Sequence, residues 1–216
     1  MAHKHMKAFV AASLATATLA ALTGCNQNNG LNVAEKDLPY GATITVNKED
    51  YILPVQYDHR FVNEELLNAV LRYYYAVQTD NVEMFTQMQH PLYMQYQLDE
   101  VLGGKYTNED ILDNSGEALR TFNDGKDFVF SFIDITDCVK GAEYTTSATL
   151  LEILDDLSEE ADGSKISKDI TQFYELTVTR YLADKDSGIK GETNKVMYDE
   201  KLFAFECKDE WYIIYN

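Results

Sequence analysis

Basic side chains are outnumbered two to one in this chain, 18 Lys and Arg against 36 Asp and Glu, and cysteine, proline, histidine and tryptophan are all scarce. Each shortage excludes something. Three cysteines in 216 residues cannot make a disulfide-stapled scaffold. His3 and His5 sit at the extreme N-terminus while His59 and His90 are far apart, so no imidazole cluster offers itself to a metal. His90, before Pro91, reads as a turn residue. A net charge of −18 makes the protein a poor partner for nucleic acid, whose phosphates need Lys and Arg to displace counterions. Glycine-rich phosphate loops and Ser-His-Asp hallmarks are also missing, and no cofactor is implied. Acidic pairs such as Asp155-Asp156 and Glu159-Glu160 lack the alternating oxygen ligands and glycine of a calcium loop, and read as solvated surface.

What the chain does have is apolar and aromatic. Hydrophobic residues make up 45% of it, with 15 Tyr and 10 Phe, enough to exclude disorder over most of the length. At the N-terminus Lys4 and Lys7 precede an uncharged stretch over 8–22, about the length of a signal h-region. It falls short of the ~20 residues of a membrane-spanning helix. Leu22-Thr23-Gly24-Cys25 closes the stretch, and Asn26-Gln27-Asn28-Asn29-Gly30 follows at once. This pattern resembles the lipobox of bacterial lipoproteins. The resemblance implies cleavage before Cys25, whose thiol then carries a diacylglyceryl group. Two acyl chains hold firmly where one binds reversibly. Loss of Lys4 and Lys7 with the signal makes the remainder two units more negative still. Anionic headgroups would repel it, so the lipid must supply the attachment. The expected location is extracytoplasmic, anchored to the bacterial membrane.

Four segments follow from the pattern: a lipoprotein signal peptide over 1–24, a lipidated cysteine and flexible stalk over 25–39, an extended arm or hairpin over 40–61, and a folded domain over 62–216. In the arm, 42–46 and 52–55 have strand-like content around Asn47-Lys48-Glu49-Asp50, and Pro54 should confine the second strand to an edge. Helices then begin. Asn63 is a good N-cap before Glu64 and Glu65, and apolar residues recur at helical spacing to Gln78. Asp80 with Glu83 suggests a second start, and His90-Pro91 a stop. A third helix over 92–102 should end at Gly103-Gly104, and a fourth, capped by Thr107 and Asp110, at Asn123-Asp124-Gly125.

After Gly125 the period falls toward 2. Five strands are expected, over 128–138, 146–155, 170–182, 196–207 and 211–215, forming an antiparallel meander. The third should put Ile170, Tyr174, Leu176, Val178 and Leu182 on one face, with Thr171, Glu175, Thr177 and Thr179 on the other. The first is apolar on both faces, with Phe128, Phe130 and Phe132 against Val129, Ile133 and Ile135. Such a strand needs two covers, which predicts a homodimer through the outer sheet face. Cys138 and Cys207 would lie on non-neighbouring strands as free buried thiols.

Helices followed by a curved antiparallel sheet with an aromatic last strand resemble the nuclear-transport-factor-2-like superfamily. The matching residues are Ala69-Val70-Leu71-Arg72-Tyr73-Tyr74-Tyr75-Ala76-Val77-Gln78, the link Thr79-Asp80-Asn81, the helix Val82-Glu83-Met84-Phe85 and the terminal Glu210-Trp211-Tyr212-Ile213-Ile214-Tyr215. The resemblance spans about 62–216 and implies an α+β cone whose helices pack on the concave sheet face and often enclose a pocket. That fold hosts isomerases, dehydratases, binders and scaffolds, so it does not fix a function. Enzymes of the superfamily place an acid or His base and Tyr or Asp donors inside the cone. Here Asp134 continues the face of Phe128, Phe130 and Phe132, while Tyr174 and Arg180 share a strand face; with Tyr74 they are the candidate pocket residues. A carboxylate among phenylalanines would have a raised pKa and could act as a base. Two functions are therefore expected in order: a non-enzymatic module binding a small molecule or a protein, or a pocket enzyme using Asp134.

Overall fold

A computed structural model describes residues 34–47, 49–187 and 195–215. The expected signal peptide, lipidated Cys25 and most of the stalk lie outside the described residues. The folded unit starts at Glu35, earlier than the stalk boundary at 39 suggested. It is a mixed α+β domain with one six-stranded sheet in the order β1-β2-β3-β4-β5-β6. The strands are β1 Ile44–Asn47, β2 Val55–Asp58, β3 Phe128–Lys140, β4 Ile170–Asp184, β5 Lys195–Cys207 and β6 Glu210–Tyr215. The meander from β3 to β6 is antiparallel, as expected. The β1–β2 hairpin joins it through a parallel pairing of Val55 and Gln56 with Ile133 and Asp134. Thus β2 is an interior strand, contrary to the edge inferred from Pro54. The proline is harmless because it lies just before the strand, where its carbonyl accepts from the Ile133 amide at 2.9 Å.

The helices start where their caps dictate. Asn63 Oδ1 accepts from the Leu66 amide at 2.8 Å and opens α1, Glu64–Thr79. The second start shifts by one residue: Asp80 is left-handed and ends α1, and Asn81 caps α2, Val82–Gln87. The side chain of Asn81 reaches the Met84 amide, and the left-handed residue before it lets the chain turn into the new helix. The third stretch divides into α3, Pro91–Tyr96, and a π-helical turn, Gln97–Val101. Gly103 and Gly104, both near φ +71°, then close it. Thr107 and Asp110 form the expected capping box of α4, Asn108–Phe122.

The segment expected to be the second meander strand is instead a helix, α5, Thr145–Asp162. Its buried residues Ser147, Leu150, Leu154 and Ser158 are three and four apart, a helical stripe. Adjacent Leu150-Leu151 and Ile153-Leu154 had given the run a strand-like density of apolar residues. This helix changes the architecture. Tyr174, Leu176, Leu202, Ala204 and Ile213 join α1 in the main core, while alternate residues Phe173, Phe203, Phe205 and Ile214 join Leu150 and Leu154 of α5 in a second one. Alternation along a strand means opposite faces, so α5 covers the side away from α1. Ile170 belongs with α5, because an irregularity between Ile170 and Gln172 shifts its parity. The edge of β6 is protected where the Ile213 amide donates to the Met88 carbonyl at 2.7 Å.

Strand β3 also differs from expectation. Its register with β4 slips between Phe130 and Phe132 and again between Ile135 and Asp137. Each bulge resets the alternation, so Phe128, Phe130, Ile133, Ile135 and Cys138 all enter the main core. The strand is therefore not apolar on both faces, and the premise of a dimer through its outer side falls away. Phe132 packs against Tyr181, their centroids 5.9 Å apart. Cys138 and Cys207 are buried free thiols on β3 and β5, with β4 between them.

The arm is clasped by one ion pair. Asp58, fully buried, accepts from the Gly41 amide at 2.9 Å, from Thr43 Oγ1 at 3.1 Å and from Arg60 Nη2 at 2.6 Å. Arg60 also donates to the carbonyls of Leu38 and Pro39. The Arg60 guanidinium, with the amides of Arg60 and Gly41, outweighs burial and holds the Asp58 carboxyl well below its ordinary 3.8. A depressed carboxyl stabilises the fold above its unfolded value and loses that contribution as pH falls through the folded one.

Two predictions follow from these contacts. Urea denaturation of Asp58→Asn should show a loss of about 3 kcal/mol at pH 7 and a shallower decline below pH 4 than the parent; parallel acid profiles would deny the clasp its role. Leu154→Ala should cost about 2–5 kcal/mol and raise amide exchange across α5 more than across α1. Unchanged exchange in α5 would contradict a helix docked on the sheet.

Candidate functional site

Two of the four expected pocket residues meet. Arg180, on the inner face of β4, lies over the Tyr74 ring at 5.4 Å from its centroid and over Phe130 at 5.6 Å. It forms a bidentate pair with Glu200, and Tyr215 donates its hydroxyl to the same carboxylate. Side-chain exposure is 6% for Arg180 and 11% for Glu200. Burial disfavours the guanidinium charge, but the Glu200 carboxylate more than offsets this and keeps Arg180 charged. Burial and the bond to Glu200 push the Tyr215 hydroxyl up to about 12, and burial, opposed by the Arg180 charge and helped by Glu200, lifts Tyr74 well above its usual range.

The backbone aims these groups through another bulge. Between Val178 and Arg180 the register skips from Glu200 to Met197, with Asp199 left-handed at φ 53°. The extra residue brings both Met197 and Glu200 to the inner face, on either side of Arg180. Sequence reasoning missed Glu200, although it shares parity with Leu202 and Ala204 and is the charged exception in that row. Tyr215 was assigned only to an aromatic last strand.

The other two residues stand elsewhere. Asp134 lies between the core residues Ile133 and Ile135 and so faces the opposite side of the sheet. The first β3 bulge turns it outward, where Gln56 Nε2 donates to it at 3.2 Å. Its pKa is raised by burial, with Gln56 opposing, so the expected direction holds but the expected neighbours do not. Tyr174 belongs to the core, donates to Gln172 Oε1 at 2.8 Å and stacks with Trp211 at 6.2 Å. Asp134 therefore shares no site with Tyr74 and Arg180.

The interior where a cone would be hollow is occupied by Tyr74, Phe130 and the Arg180–Glu200 pair. Space lies outside it. An open groove of about 570 Å³ runs between α1 and the β5–β6 turn, lined by Asn68, Arg72, Gln87, Glu210, Trp211 and Tyr212 among others. An indole beside amides, carboxylates and a guanidinium can hold a polar ligand. His90, at the N-terminus of α3, is buried against Phe205 and Tyr212, and burial drops its pKa to about 4, so it stays neutral. Among the described residues no group of three His, Cys, Asp or Glu could hold a metal ion, and no helix is long and apolar enough to cross a membrane. No family model, curated protein or solved structure matches the chain.

The Arg180 cage makes a direct prediction. Glu200→Gln should cost about 3–5 kcal/mol by leaving a buried guanidinium without its counter-ion, whereas Arg180→Met with Glu200→Leu should recover most of that loss. Chemical denaturation of the three variants decides, and a double variant no better than Glu200→Gln would count against the pair.

Proposed function

We propose that the chain is an extracytoplasmic lipoprotein, held to the bacterial membrane through diacylglyceryl on Cys25, whose domain is a non-enzymatic binding module of the nuclear-transport-factor-2-like kind. The anchor rests on Lys4 and Lys7, the uncharged stretch before Leu22-Thr23-Gly24-Cys25 and the polar residues after it. Helices α1, α2 and α4 against the β3–β6 meander support the superfamily resemblance; α5 on the opposite face is a departure from it.

One observation carries the choice between binding and catalysis. Asp134, the acid on which a pocket enzyme would depend, is separated from Arg180 and Tyr74 by the sheet itself. With the interior filled, a ligand or partner would be held at the groove beside Trp211. Labelling cells with radioactive palmitate should mark the parent and leave Cys25→Ser unmarked; equal labelling would refute the anchor. Native mass spectrometry of the protein purified from its own envelope should show a retained molecule that Trp211→Ala loses at unchanged melting temperature. Retention independent of Trp211 would move the site away from the groove.

A further inference from the structure

Strand β6 ends the sheet, so one side of its backbone faces no other strand. Lys208 and Asp209, at φ 55° and 64°, make the two-residue turn that joins it to β5. The residues flanking such a turn, here Cys207 and Glu210, exchange both main-chain hydrogen bonds, and bonded pairs then alternate along the ladder. Tyr212 and Ile214 therefore bond to β5, whereas Trp211 and Ile213 direct their N–H and C=O groups away from it. The 2.7 Å bond from the Ile213 amide to the Met88 carbonyl runs outward, as this phase requires.

Met88 thus stands where a seventh strand would pair with Ile213, and the chain then leaves the edge for α3. At Trp211 the same edge borders the open groove between α1 and the turn. No backbone or side-chain group among the described residues pairs with the outward N–H and C=O of Trp211. Free edge groups of this kind are a template for an added strand. The Trp211 indole beside them is held by its stacking on Tyr174 at 6.2 Å.

The lining also selects the occupant. Glu65, Asp209 and Glu210 put three carboxylates around the groove against the single guanidinium of Arg72. The whole chain carries −18, so an acidic partner is repelled and a basic one attracted, most strongly at low salt. A strand edge asks for a partner that accepts from an N–H and donates to a C=O at the spacing of an extended main chain. An extended peptide carrying Lys or Arg meets both demands. Its main chain would supply affinity and its side chains specificity.

On the reading that the groove beside Trp211 is the place of binding, we propose that an extended basic peptide of a partner protein adds to the free edge of β6. Its main chain pairs with Trp211 and its basic side chains lie among Glu65, Asp209 and Glu210. The probe is acetyl-Val-Lys-Val-Lys-Val-amide, titrated into the full chain in detergent. Trp211 is the one tryptophan of the chain, so its emission should shift as the peptide binds one to one. The same peptide with Glu for both Lys should bind at least about tenfold more weakly. An edge uses only alternate amides of the added strand. Of two analogues, one N-methylated at its lysines and one at its valines, one should therefore bind about fivefold more weakly, the equivalent of one lost hydrogen bond, and the other as the unmethylated peptide does. Followed by anisotropy of a labelled peptide, Trp211→Pro, which lacks the outward N–H, should bind about fivefold more weakly than Trp211→Ala, which keeps it. If Trp211→Pro does not fold, the methylated analogues, which leave the protein unaltered, decide. Equal binding of the two analogues, or of the Lys and Glu peptides, overturns strand addition. Failure of every peptide to bind overturns it too; the groove itself then stands if Trp211→Ala loses the molecule retained from the envelope, and falls if it does not.

Discussion

A guanidinium charge with only 6% of its side chain exposed must be neutralised where it lies, and much of the domain's interior is arranged to do so for Arg180. Glu200 supplies the opposite charge, but reaches the inner face only because β5 bulges at Asp199. Tyr215 fills a lone pair of that carboxylate, and the faces of Tyr74, Phe130 and Tyr215 surround the cation. Removing any of these groups would expose the others to an unbalanced environment. These side chains together occupy the space between α1 and the inner face of β4 and β5.

The same sheet supports a core on each side. Odd and even residues of β4, β5 and β6 feed two clusters, one closed by α1, α2 and α4 and the other by α5. This explains how so many Phe and Tyr side chains find cover within one chain. At the far edge, Asp58 and Arg60 bind Leu38, Pro39, Gly41 and Thr43 to the hairpin. That clasp holds the residues over 38–43 against the hairpin.

Local signals in the sequence were the most legible. Asn63, Thr107 and Asp110 act on amides within a few residues, so their capping roles follow from spacing alone. Bulges were not legible, because each depends on how a neighbouring strand pairs. Two of them gathered the apolar residues of β3 onto one face and turned Asp134 away. A third placed Glu200 beside Arg180. Helix α5 was obscured by the crowding of its leucines, although Leu150, Leu154 and Ser158 keep helical intervals and Gly163 provides a left-handed stop. Tyr74 and Arg180, grouped from the sequence, do meet, because both lie on the main-core side of their own element.

An acidic domain whose interior is occupied by side chains would suit the proposed lipid-anchored binding role, with a ligand or partner engaged at the groove beside Trp211. The state of Arg180 is the most direct measure of that filling. Nitrogen-detected NMR of the arginine side chains at neutral pH should show, beside the Nε–H of the Asp58-paired Arg60, a second Nε–H resonance in slow exchange with water, absent from Arg180→Met and correlated with the Tyr74 ring. If the Arg180 Nε–H exchanges at the rate of a solvated guanidinium, the cation is not caged and the interior is open.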